Sequence, residues 1–189
     1  MHTYIIYKPY GMLSQFTREV ESHITLKDLD YEFEPDVYPV GRLDSDSEGL
    51  LLLTNDTSLN QKLLSPKYKS PKTYHIQVEG IPSDDALKQI ARGVTIRIKG
   101  KSINTQPCTI GRVLTVPEFP DRNPPIRFRK TVPTTWLIIT LSEGKNRQVR
   151  RMLASINHPV LRLIRTQFAS YIFGQEPLRM LKSGEIIKL

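Results

Sequence analysis

Gly41-Arg42-Leu43-Asp44-Ser45-Asp46-Ser47-Glu48-Gly49 runs directly into Leu50-Leu51-Leu52-Leu53-Thr54-Asn55-Asp56. A polar, acidic loop bounded by two glycines thus feeds a run of leucines. Such a run has no polar face, which suits a strand covered on both sides. A loop anchored to a rigid buried strand is a good place to hold a site carboxylate. Asp44, next to Arg42 and Leu43, is the candidate: partly desolvated, yet kept ionised by an arginine. An opposite charge within a few ångströms lowers a carboxylate pKa by roughly 1–3 units. The same residues also suit a plain turn, whose Asp and Ser side chains satisfy backbone N–H groups. Spacing by itself favours the turn.

Outward from this stretch the chain reads as strands with few helices. Tyr4–Tyr7 is a short strand broken by Pro9 and Gly11, and Val37–Val40 is a second apolar stretch. Asn55-Asp56-Thr57 offers an N-cap for a helix through Leu64. Lys72–Glu79 alternates, with Tyr74, Ile76 and Val78 on one face of a strand. Ser83 opens a helix that Gly93 closes. Val94–Ile98, Thr109–Val116, Trp136–Leu141, Val160–Phe168 and Glu185–Leu189 read as strands, and Asn146–Asn157 as a helix. Residues 117–134 hold five of the 14 prolines, with Arg122, Arg127, Arg129 and Lys130, and read as a long basic loop. The order lacks regular β-α alternation, so the expected class is α+β. One domain over 1–189 is expected, because the later strands are needed to cover Leu50–Leu53.

The chain has 189 residues and a formal net charge of +8. Residues 1–56 carry 4 basic and 11 acidic side chains, and residues 57–189 carry 23 and 8, so the halves stand at −7 and +15. A basic excess of that size points to a polyanion partner or, more blandly, to solubility. The single cysteine, Cys108, excludes an intrachain disulfide and a cysteine metal cage, and reads as a small buried residue. His2, His23, His75 and His158 lack metal-ligand spacing. No phosphate-cradling glycine loop and no serine nucleophile elbow is present. No metal and no cofactor are expected, and chemistry falls to carboxylate, phenol and guanidinium groups. No apolar run is long enough for a membrane span, and the first residues are too polar for a secretory signal, so a cytoplasmic setting is expected.

A second constellation is Glu143-Gly144-Lys145-Asn146-Arg147-Gln148-Val149-Arg150-Arg151-Met152-Leu153. Val149, Met152, Leu153 and Ile156 form one helical stripe. Arg147, Arg150 and Arg151 flank or oppose it, crowding a helix N-terminus where cations are disfavoured by about 0.3–1 kcal/mol each. Three arginines there call for an anion from elsewhere: a phosphate, or a carboxylate such as Asp44. Lys145, Arg162 and Arg165 extend the basic surface, and a solvated basic face is the bland alternative. Tyr74, close after Lys72, is a third candidate, since a phenol acts as acid or base when aimed at the reacting proton.

Taken together, Tyr7-Lys8-Pro9, Gly41-Arg42-Leu43-Asp44 with Asp46-Ser47-Glu48-Gly49-Leu50, Lys72-Thr73-Tyr74 and Glu143-Gly144 through Met152 resemble the pseudouridine synthases that act on small- and large-subunit ribosomal RNA. The resemblance spans almost the whole chain. It implies the pseudouridine synthase fold, a mixed, mainly antiparallel sheet flanked by helices and loops. It also implies cofactor-free isomerisation of uridine in 23S ribosomal RNA. Carried over by motif, Asp44 is the catalytic aspartate, Tyr74 the base that takes the C5 proton and stacks on the uracil, and Arg150 the partner that orients Asp44. Arg42 is expected at the backbone of the flipped nucleotide. Lys72, Arg122, Arg127, Arg129, Lys130, Lys145, Arg147, Arg151, Arg162 and Arg165 are the expected RNA contacts, with 117–134 ordering on RNA. Many relatives carry an N-terminal S4 module. Here the chain opens on the catalytic-domain strand, so RNA binding through this one domain is expected; a monomer is assumed. Two other readings remain: an inactive RNA-binding protein on the same fold, and a hydrolase using Asp44 with Asp46 or Glu48 that would release free uracil.

Overall fold

The computed structural model describes residues 1–127, 129–179 and 181–189. In chain order the elements are β1 (Thr3–Lys8), β2 (Tyr38–Pro39), β3 (Glu48–Thr54), α1 (Thr57–Leu64), β4 (Lys72–Glu79), α2 (Asp84–Arg92), β5 (Thr95–Ile98), β6 (Lys101–Asn104), β7 (Thr109–Arg112), β8 (Thr134–Leu141), α3 (Gln148–Ala154), β9 (Val160–Phe168), β10 (Tyr171–Ile172) and β11 (Ile186–Lys188). The main sheet runs β11-β1-β3-β9-β4-β8-β7, with β2 on β3 and β10 on β9. Every neighbouring pair is antiparallel except β3 with β9, which are parallel. The class is therefore α+β with a mainly antiparallel sheet, as the sequence predicts.

The leucine run lies inside this sheet, between β1 and β9, and explains its layering. Leu50 and Leu52 pack with Ile5, Tyr7, Ile164 and Phe168 on one face. Leu51 and Leu53 pack with Tyr4, Ile6, Leu26 and Val37 on the other. All seven residues of β3 are buried, so both faces are covered, as a run without alternation requires. Strands β4 and β8 alternate instead. Ile76, Val78, Leu137, Ile139 and Leu163 form a core with α2 and with Val149, Met152 and Leu153 of α3. Burying each such side chain stabilises the fold by about 1.5–3 kcal/mol.

The helix signals act where expected. Asp56 caps α1 by accepting from the Ser58 and Leu59 amides, and Ser83 caps α2 by accepting from Ala86. Two elements are shorter than the sequence predicts. The strand expected over 109–116 pairs only over Thr109–Arg112. The helix expected over 146–157 covers Gln148–Ala154, because Arg147 takes a left-handed conformation (φ 49°) before it and Asn157 does so after it (φ 61°). The strand expected over 94–98 is β5, but its hairpin partner β6 and the two-residue β10 carry no strong pattern and are seen only in the structure.

Candidate active site

The loop after β2 is tied down from several sides. The Ser14 hydroxyl donates to the Leu43 carbonyl at 2.9 Å and accepts from the Leu43 amide at 3.0 Å. The Gly11 amide donates to the Ser45 carbonyl at 2.7 Å, and the Ser47 amide closes a turn onto the Asp44 carbonyl at 3.0 Å. Beneath the loop lies the fully buried Lys8, whose ammonium donates to the carbonyls of Pro9 (2.8 Å), Met12 (2.7 Å) and Ser45 (3.4 Å). Burial draws its pKa down to about 7, although Glu48, Asp46 and Asp44 pull the other way. Gly49 ends the loop at φ 101°, where a Cβ would stand 2.3 Å from the Arg165 carbonyl oxygen. Only glycine lets β3 approach β9 this closely. That approach brings Arg165 beside the Asp44 loop.

The start of α3 closes on the same loop, and the carboxylate that receives it is Asp46. Arg147 donates Nη1 to Asp46 Oδ1 at 2.9 Å and Nη2 to Oδ2 at 2.7 Å. Arg150 sets Nε 3.3 Å from Asp46 Oδ2 and donates to the Asp46 carbonyl at 2.6 Å and the Val160 carbonyl at 3.2 Å. Burial works to raise the Asp46 pKa, but the two arginines outweigh it and hold the carboxyl below its ordinary value. The expected pairing of Arg150 with Asp44 is thus corrected: Arg150 grips Asp46, two residues on. The guanidinium in ion-pair reach of Asp44 is that of Arg147, with Nη1 3.8 Å from Oδ2. Two of the three arginines, Arg147 and Arg150, find their anion in the loop, where the turn presents Asp46 to both; Arg151 does not.

Upstream of α3 the chain is held by Gln148, which is buried. Its amide nitrogen donates to Glu143 at 2.6 Å, and its amide oxygen accepts from the Lys145 amide at 3.0 Å. Glu143 also pairs with the Lys145 ammonium and accepts from the Gln106 amide at 2.9 Å.

These segments enclose a cleft of about 360 Å³ lined by, among others, Arg42, Asp44, Lys72, Tyr74, Arg147, Arg165 and Phe168. Tyr74 and Arg165 face each other in the β4–β9 register, which makes their side chains neighbours on one face. Arg165 is buried: Nε donates to the Leu50 carbonyl at 2.8 Å, the guanidinium lies 4.6 Å over the Phe168 ring, and Nη2 has no hydrogen-bond partner among the described residues. Burial lowers the Arg165 pKa, and Tyr74 is the neighbour acting against that. Lys72 donates to the Ser70 carbonyl at 3.1 Å, and burial first, then Arg165, lowers its pKa. The cleft therefore brings the Asp44 carboxylate, the Tyr74 phenol and the Arg165 guanidinium together beside the Phe168 ring. Among the described residues, no group of three His, Cys, Asp or Glu side chains could hold a metal ion.

The other candidates divide. Lys145 and Arg147 line the cleft, each with a carboxylate partner. Arg151 stands outside it and donates to the Asn146 and Arg97 carbonyls at 3.2 and 2.7 Å. Arg162 is not free for phosphate: it forms a two-pronged pair with buried Glu48 (2.8 and 2.7 Å) and donates to the Pro120 carbonyl at 2.6 Å. Arg122, Arg127, Arg129 and Lys130 gather at a second cleft. Sequence reasoning missed Lys8, Asp46 as the arginine receptor, Gln148 and Phe168. Asp46 and Gln148 left a trace there as polar residues inside the two constellations, and Lys8 as part of the Tyr7-Lys8-Pro9 motif. Cys108 is half-buried, and burial pushes its thiol up to about 11, in keeping with an unreactive residue. No helix among the described residues is long and apolar enough to cross a membrane.

A family model described as RNA pseudouridylate synthase matches residues 2–155. The chain is 49% identical over 183 residues to a ribosomal large subunit pseudouridine synthase E of Vibrio vulnificus, covering 96% of this chain and 72% of that protein. It is 45% identical over 168 residues to the protein of that name from Xanthomonas campestris, covering 88% and 87%. A crystal structure of a pseudouridylate synthase superposes with a TM-score of 0.76 at 25% identity, covering 100% of this chain and 70% of that one. The matched span holds Asp44, Tyr74 and Arg147, and on these grounds the chain belongs to the RNA pseudouridylate synthase family.

Proposed function

We propose that this protein isomerises a uridine of large-subunit ribosomal RNA to pseudouridine, with Asp44 as catalytic aspartate and without a cofactor. The relatives' names supply the RNA class. The observation that carries the residue assignment is the cleft in which Asp44, Tyr74 and Arg165 meet. The reaction breaks the bond from N1 of uracil to C1′, forms one from C5 to C1′, and exchanges a proton at C5 for one at N1. It needs no oxidant and no second substrate. Asp44 assists cleavage of the N1–C1′ bond, Tyr74 receives the C5 proton, and Arg165 steadies the phenol as its charge changes. Arg147 stands in ion-pair reach of Asp44 at 3.8 Å while spending its hydrogen bonds on Asp46. The target must leave its stack to enter, which costs a few kcal/mol that the basic surface must offset.

Replacing Asp44 by Asn tests this. The variant should bind an unmodified large-subunit rRNA transcript normally and release no tritium from C5-labelled uridine. Release at the wild-type rate would remove Asp44 from the mechanism, and release of free uracil by the native protein would replace the isomerase with a hydrolase. Mapping pseudouridines in rRNA from cells with and without the gene identifies the uridine.

A further inference from the structure

A second cleft, of about 620 Å³, lies between the basic loop and the ends of β4 and β9. Gln77 and Glu79 line it. They alternate along β4 with Tyr74, Ile76 and Val78, so this cleft opens on the sheet face opposite Tyr74. Its wall is apolar, from Ile126, Val132 and Val160. Its rim carries Arg127, Arg129 and Lys130, and the only carboxylate among its described lining residues, Glu79, is already paired with Arg129 at 3.2 Å. The Gln77 amide reaches the Thr134 hydroxyl at 3.1 Å, placing exchangeable donors and acceptors at its edge. An apolar wall, a cationic rim and a few polar groups form a site for a base with its phosphate, since bases stack without regard to sequence while arginines hold the backbone.

The cleft also connects to the active site. Arg150, which grips the catalytic loop, donates to the Val160 carbonyl at 3.2 Å. Arg122, which lines the second cleft, donates to the next carbonyl, that of Leu161, at 3.2 Å. The Arg122 guanidinium lies 3.7 Å over the Tyr10 ring, and its Nε is buried without a hydrogen-bond partner among the described residues. Arg150 and Arg122 thus hold adjacent carbonyls at the start of β9, with Arg122 stacked on Tyr10.

We propose that this second cleft is a subsite for an unpaired nucleotide of the substrate RNA near the target uridine, its base against Val132 and Val160 and its phosphate on the loop arginines. The inference rests on the proposed RNA substrate. It adds a second anchored nucleotide, which would choose among uridines by what flanks them.

The test uses the full chain, an unmodified large-subunit rRNA transcript carrying 4-thiouridine, and two variants. Val132→Trp fills the cleft without changing charge, and should raise KM at least 10-fold while altering kcat less than 3-fold. Arg127→Ala/Lys130→Ala should reduce the salt slope of binding by about 1.4 log units per log unit of salt, two single-strand phosphates at about 0.7 each. Photocrosslinks should map to residues 126–134 and persist in excess uridine monophosphate. If Val132→Trp misfolds, as read by its thermal transition, Thr131→Trp takes its place. A normal KM in a folded tryptophan variant overturns the base subsite even if the charges matter, and crosslinks abolished by free nucleotide overturn RNA as occupant. Asp44→Asn separates the two readings. If it stops conversion while the tryptophan variants behave as wild type, only the subsite falls. If crosslinks form as expected on a transcript that the native protein never converts, only the proposed function falls.

Discussion

Arg162 is expected at RNA phosphates from sequence, and the structure gives it to Glu48 instead, so its removal separates two physical accounts. The Arg162 and Glu48 side chains are 11% and 3% exposed and joined by two charge-assisted bonds. Arg162→Met keeps the apolar stem and deletes the charge, leaving Glu48 buried without its guanidinium. Breaking a buried pair from one side costs about 3–5 kcal/mol. At about 2.1 cal/mol/K per residue, 189 residues give an unfolding entropy near 0.4 kcal/mol/K, so Tm should fall by about 8–12 °C. The double variant Glu48→Gln/Arg162→Met should recover part of that loss, because it leaves neither charge stranded. Calorimetry on the three variants reads the stability, and filter binding to an rRNA transcript across a salt series reads the phosphate contacts. Wild-type and Arg162→Met slopes should agree. A slope lower by about 0.7 with Tm within 2 °C of wild type would refute the internal pair and restore Arg162 to the RNA surface.

Asp46→Asn should release both Arg147 and Arg150, lower stability by about 1–3 kcal/mol given its partial exposure, and reduce kcat more than KM for the rRNA transcript; normal turnover would mean the clamp does not position Asp44. The stability that Asp46 supplies is present above its unfolded pKa, near 3.8, and disappears as pH falls through the lower folded value, so the gap in Tm between wild type and Asp46→Asn should close in strong acid. Gly49→Ala should be destabilised by more than about 3 kcal/mol, since its Cβ meets backbone and not a side chain that can move aside; a soluble variant with wild-type Tm would contradict the close approach of β3 and β9. Lys8 has a folded pKa of about 7 against 10.5 unfolded, so the folded state binds fewer protons between those values and stability must rise with pH across that window. Lys8→Met should lack the rise, and parallel Tm–pH curves for the two proteins would count against the depressed pKa.

Much of this was legible because local physics was unambiguous. The Leu50–Leu53 run admits no polar face, so β3 had to be covered on both sides, and Lys72–Glu79 alternates so cleanly that its bounds match β4. The stripe of Val149, Met152 and Leu153 gave α3 its buried face, and Asp44 and Tyr74 stood out by motif. What stayed hidden were choices between equivalent partners. Asp44 and Asp46 lie two residues apart in one acidic loop, and nothing in their spacing decides which one receives Arg147 and Arg150. Arg162 and Arg127 look alike in a basic segment, yet one faces Glu48 across the sheet interior and the other lines an open cleft.

The sequence by itself determined the α+β class, the buried central strand, the basic excess and the family, since these follow from periodicity, composition and motif. Tertiary structure alone decided which charges neutralise one another inside and which stay available to RNA. The reason is distance: Asp46 and Arg147 are 101 residues apart in the chain and 2.7 Å apart in space, and Glu48 and Arg162 are 114 apart and also within 2.7 Å. Such pairings depend on the parallel contact of β3 with β9 and on the turn that tilts each carboxylate, which no local window of sequence contains.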